Sequence, residues 1–95
     1  MLNKIIGRKE REMKKSSKGL SGIAVLVVKS IAKVYRWSAF LNSLKIKSSY
    51  TVDECKKGEW VVETIFEGLK NAAEFETELF SLAGSGRNCH IDYDN

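Results

Sequence analysis

The strongest constraint in this chain is the stretch 58–84, GEWVVETIFEGLKNAAEFETELFSLAG. At ~100° per residue, Val62, Ile65, Phe66, Leu69, Ala72, Ala73, Leu79, Phe80 and Ala83 fall on one broad face. Glu63, Glu67, Lys70, Glu74 and Glu78 fall on the opposite face. A division sustained over several turns predicts an amphipathic helix with a wide apolar sector. Gly84 and Gly86 supply its C-terminal stop. Glu76 interrupts the apolar face. A carboxylate there either snorkels at the edge of the sector or pairs with a basic neighbour. The sharper reading, a buried functional carboxylate, has no acid, base or metal ligand beside it in sequence to support it.

The helix extends backwards if Thr51-Val52-Asp53-Glu54 is a capping box with acids in the first turn. A rival reading makes 50–55 and 60–66 the strands of a β-hairpin, with 56–59 as the turn. Trp60, Val61, Val62, Thr64 and Ile65 all have high strand propensity. The helix is preferred because a strand would put Glu63 on the same face as Val61 and Ile65.

A second helix is expected over 22–47. Ala24, Val27, Val28, Ile31, Val34, Tyr35 and Leu41 share one face, and Lys29, Lys33, Arg36 and Lys47 form a basic stripe. Beside the stripe, Leu26, Trp37, Phe40 and Leu44 make a second apolar strip that one partner helix cannot cover. The Val/Ile-rich run 23–28 leaves a strand as the lesser alternative there. The expected fold is therefore all-α, a long antiparallel helical hairpin preceded by a short basic N-terminal helix. An α+β fold with a β-hairpin at 50–66 is the alternative. The absence of proline suits long unbroken helices. The expected organisation is a basic segment at 1–18, the hairpin domain at 19–84 and a flexible acidic tail at 85–95. The tail's alternation also allows a short edge strand with Cys89, Ile91 and Tyr93 on one side.

Charge divides the chain. Residues 1–47 carry twelve Lys/Arg against two acids, and residues 48–95 carry four against ten. Such a split means either that the halves attract one another, within or between chains, or that the basic half meets an acidic partner. Surplus apolar surface without visible chemistry predicts a small protein-interaction module. It would be an adaptor or inhibitor, of the kind carried by phages or mobile elements, acting on a partner protein and assembling as a homo-oligomer. Leu26, Trp37, Phe40, Leu44 and Trp60 are the candidate partner interface. The alternative is nucleic-acid binding through Lys4, Arg8, Lys9, Arg11, Lys14, Lys15, Lys29, Lys33 and Arg36. Membrane association is the weakest option, since the apolar side of 1–15 is small and has no aromatic.

Catalytic and metal signals are thin. Cys89-His90 is the one thiol–imidazole neighbour pair, and adjacent residues rarely aim at one site. Cys55, Cys89, His90 and Asp92 do not have metal-ligand spacing. The turn 84–87, GSGR, lacks the Lys-Ser/Thr ending of a phosphate loop. The expectation is a non-enzyme without cofactor or metal. With two cysteines, reduced, it is expected to be cytoplasmic.

Overall fold

The computed structural model describes residues 19–94. They form an α+β domain, not the expected helical hairpin. The elements are β1 (Leu20–Val28), α1 (Ile31–Ser43), β2 (Lys47–Lys56), β3 (Glu59–Leu69), α2 (Ala72–Ala83), a 3-10 turn at Gly86–Asn88 and β4 (Cys89–Tyr93). All strand pairs are antiparallel, in the order β2-β3-β1-β4. This β-α-β-β-α-β order is the split βαβ, or ferredoxin-like, plait.

The first half of the expected 22–47 helix is β1. Ala24, Leu26 and Val28 are buried and alternate with Ile23, Val25 and Val27 on the other side. That two-residue period fits β-branched side chains on a pleated surface. Gly22 permits the close approach of β4, because a Cβ there would run into the main chain of Asp92 and Tyr93. Ser30 then breaks the strand and caps α1, its side chain accepting from the Ala32 amide at 3.2 Å. Within α1 the buried positions are Val34, Trp37 and Leu41, a helical spacing.

The alternative, a β-hairpin at 50–66, is the one formed, and its strands extend over 47–69. Lys56 pairs with Glu59, and Gly58 takes a left-handed φ of 79° in the turn. The Thr51–Glu54 cap is absent; Glu54 instead accepts from the Gly58 amide at 3.0 Å and closes the turn. Helix returns at α2, with Asn71 accepting from the Glu74 amide and Gly84 ending it at φ 80°. The acidic tail is not separate from the domain, since β4 pairs with β1 from Gly22↔Tyr93 to Leu26↔Cys89.

Both helices cover one face of the sheet. Ala24, Leu26, Val28, Val62, Phe66 and Leu69 from the strands meet Val34, Trp37 and Leu41 from α1 and Phe75, Leu79 and Leu82 from α2. Phe75 lies at the centre, with ring centroids 4.8 Å from Phe66, 5.3 Å from Trp37 and 6.3 Å from Phe40. Trp37 and Thr64 are both 0% exposed, and the indole N–H donates to the Thr64 hydroxyl at 2.9 Å. A buried indole N–H needs such a partner. Thr64→Val keeps the shape but orphans that donor, so the domain is expected to lose about 1–3 kcal/mol in urea unfolding. An unchanged midpoint would show that the bond is not formed.

Candidate functional site

Two of the residues expected to meet a partner are inside the molecule. Leu26 and Trp37 belong to the core, because β1 turns Leu26 inward and α1 turns Trp37 onto Thr64. Phe40, Leu44 and Trp60 are half-buried against the same core. These side chains therefore build the fold and do not make a common outer strip. Of the basic residues, Lys29 follows β1, while Lys33 and Arg36 lie on α1. Arg36 reaches Glu78 of α2 at 3.5 Å. Lys4, Arg8, Lys9, Arg11, Lys14 and Lys15, with the short N-terminal helix expected to carry them, lie outside the described residues.

The surface that does gather apolar side chains is the sheet face turned away from the helices. Strand alternation puts Ile23, Val25 and Val27 of β1 there, beside Val61 and Ile65 of β3. Registration brings Ile23 opposite Ile65, and Val27 opposite Val61. Ile23 is 43% exposed and Ile65 58% exposed. A depression of about 140 Å³ opens between them, lined also by Ser49, Tyr50, Thr51 and Glu63. Uncovered aliphatic side chains in contiguous rows are unusual on a surface with no partner.

The frame of this face is acidic. Glu63 sits between Val61 and Ile65, opposite Val25 on β1 and Thr51 on β2. Asp53 stands opposite Val61, Glu67 opposite Lys47, and Asp92 opposite Ile23. Among the described residues no ion pair engages Asp53, Glu63 or Glu67. No aromatic side chain occupies the strand positions of this face in β1 or β3, where a base-stacking sheet would carry them.

The other side of the molecule holds a groove between α2 and β4, lined by Ala73, Glu76, Thr77, Phe80, Ile91 and Tyr93. Phe80, on the apolar face of the expected helix, is 55% exposed here. Glu76 accepts a hydrogen bond from the Tyr93 hydroxyl at the groove's edge. The interruption seen in the sequence is therefore an exposed carboxylate with a polar partner on a neighbouring strand.

The thiols and the imidazole are kept apart by the sheet. Cys55 is on β2 and Cys89 on β4, at opposite edges of a four-stranded sheet, at least roughly 14 Å apart at the usual interstrand spacing. That exceeds the reach of a disulfide, and both thiols are free. Consecutive strand residues point to opposite faces, so Cys89 turns towards the helices while His90 turns away. Local desolvation, then the hydrogen bond to Glu59 and its charge, push the Cys55 thiol up, which lowers its thiolate fraction. Among the described residues no group of three His, Cys, Asp or Glu is placed to hold a metal. No helix among them is long and apolar enough to cross a membrane. Comparison with protein-family models, curated proteins and solved structures found no match.

Burial, then the hydrogen bond to Glu76 and its charge, push the Tyr93 hydroxyl up to about 12 from 10.0. The folded state thus prefers the neutral phenol. This contribution is complete below pH 10.0 and is lost as pH rises towards 12. In a Tyr35→Phe/Tyr50→Phe chain, phenolate absorbance should report Tyr93 titrating near that value. Glu76→Gln should move the titration downwards. An unmoved curve would mean that the Glu76 contact does not form.

Proposed function

We propose that this chain is a small protein-interaction module that docks a partner protein on the open face of its sheet and works by binding alone. The observation that carries this reading is the opposed pair Ile23 and Ile65, uncovered at the middle of the face and continued by Val25, Val27 and Val61. Burying such a surface is favourable at about 25 cal/mol per Å² of apolar area. The acidic frame of Asp53, Glu63, Glu67 and Asp92 then selects for a partner whose own apolar patch is bordered by Lys or Arg. An adaptor or an inhibitor needs nothing further from the chain.

A nucleic acid fits this face poorly. Its phosphates would meet carboxylates, and its bases would find no aromatic platform. Among the described residues the nucleic-acid alternative is left with Lys29, Lys33 and Arg36, and Arg36 is engaged by Glu78.

Ile65→Lys and Glu63→Lys both change exposed positions of β3, so neither should alter the unfolding temperature by more than a few degrees. In affinity capture from nuclease-treated lysate, proteins retained by the wild-type chain should be lost with each variant. Capture that survives both substitutions, or that disappears on nuclease treatment, would contradict the reading.

A further inference from the structure

The edge strand β4 has a self-complementary outer border, and we propose that it pairs antiparallel with β4 of a second copy, about a two-fold axis through Ile91. This goes beyond the open-face reading, since it uses another surface and names its occupant.

The main-chain geometry comes first. The Asp94 amide donates to the Ser21 carbonyl at 2.8 Å, continuing the register Gly22↔Tyr93, Ile23↔Asp92, Ala24↔Ile91, Val25↔His90 and Leu26↔Cys89. In an antiparallel ladder, residues that exchange hydrogen bonds alternate with residues that do not. Asp92 and His90 therefore share Asp94's orientation and direct their peptide groups at β1. Cys89, Ile91 and Tyr93 direct theirs at the open border. Soluble proteins usually blunt such a border with lysine, proline or a bulge. The sequence of β4, CHIDY, contains neither lysine nor proline, and its register with β1 runs without a shift.

Side-chain complementarity then selects the register. With the axis at Ile91, His90 of each copy stands opposite Asp92 of the other. These are non-hydrogen-bonded pairs, the class in which side chains approach more closely. Cys89 stands opposite Tyr93, and Ile91 opposite its equivalent, so all three residues with outward peptide groups are satisfied. Moving the axis to Asp92 would place two carboxylates face to face, and moving it to His90 would oppose the two imidazoles. A shift by one residue would set outward peptide groups against inward ones.

Ile91 and Tyr93 line the groove under α2 with Ala73, Thr77 and the exposed Phe80. Pairing at β4 brings the two grooves together edge to edge and covers their apolar floor. The product is one eight-stranded antiparallel sheet, in the order β2-β3-β1-β4 followed by its mirror sequence, within the width that open sheets tolerate. The helices of both copies lie on one side, and the two open faces become a single continuous platform.

The test uses the full chain, of 10.7 kDa, in sedimentation equilibrium. The wild-type chain should approach twice that mass at micromolar concentration. His90→Asp sets four carboxylates around the axis and should raise the dimer dissociation constant by at least about tenfold. The exchanged double variant, His90→Asp with Asp92→His, should restore the wild-type constant. Both side chains are highly exposed, so circular dichroism should be unchanged. In a Cys55→Ser/Cys89→Ser chain, Ile91→Cys brings two thiols together at a Cα separation of about 5.5 Å, inside disulfide range. Mild copper-catalysed oxidation should yield a covalent dimer. A monomeric wild-type chain, a dimer insensitive to His90→Asp, or no covalent dimer through position 91 would each overturn the proposal.

Discussion

The contact on which the rest of the molecule depends is the aromatic junction at Phe75. This α2 side chain touches Phe66 of β3 and both Trp37 and Phe40 of α1, so one residue joins both helices to the sheet. Aromatic pairs add about 0.5–1.5 kcal/mol beyond the area they bury. The hydrogen bond from Trp37 to Thr64 fixes the indole in place. Because Thr64 and Phe66 are on one side of β3, the junction commits both helices to that side.

The consequence is a sheet with one face that the described residues leave bare. Two helices suffice for the core-facing half of each strand, and a chain of this topology has no third layer among its described residues. Ile23, Val25, Val27, Val61 and Ile65 therefore face outwards by geometry. Glu63 in their midst, with Asp53 and Glu67 around them, makes direct stacking of two such faces unfavourable by like-charge repulsion. The same charges leave the face open to a basic partner. The plait itself decides nothing about function, since many unrelated activities share it. These exposed side chains, not the plait, are what a partner would meet.

How much of this could be read from sequence differs by element. The end of α2 is legible, because Gly84 is a direct stop signal, but its inner face is not: the face drawn through 62–83 includes Ala73 and Phe80, which are exposed, and omits Phe75 and Leu82, which are buried. The β4 strand and its Cys89/Ile91/Tyr93 side were visible in the alternation. β1 was hidden, since a run such as IAVLVV is apolar at every position and satisfies a helical period as well as a strand's. The β3 reading failed for a more instructive reason. Glu63 between Val61 and Ile65 tips the choice towards a helix and leaves the hairpin as the alternative, because a strand puts a carboxylate among aliphatic side chains. In the fold those three residues do share a face, and the mixture is what marks it as a candidate site. Trp37 and Leu26 misled in the opposite direction, because conspicuous side chains suggested a surface where tertiary packing had need of a core.

Among the described residues the open face is uncovered while its opposite is sealed by Phe75 and its neighbours. Methyl-selective NMR with a soluble paramagnetic probe measures this directly. The Ile23 and Ile65 methyls should lose intensity strongly, and those of Leu26, Val62 and Leu82 should be preserved. Protection of Ile23 and Ile65 equal to that of the core methyls would mean that the face is already filled, against the docking proposed for it.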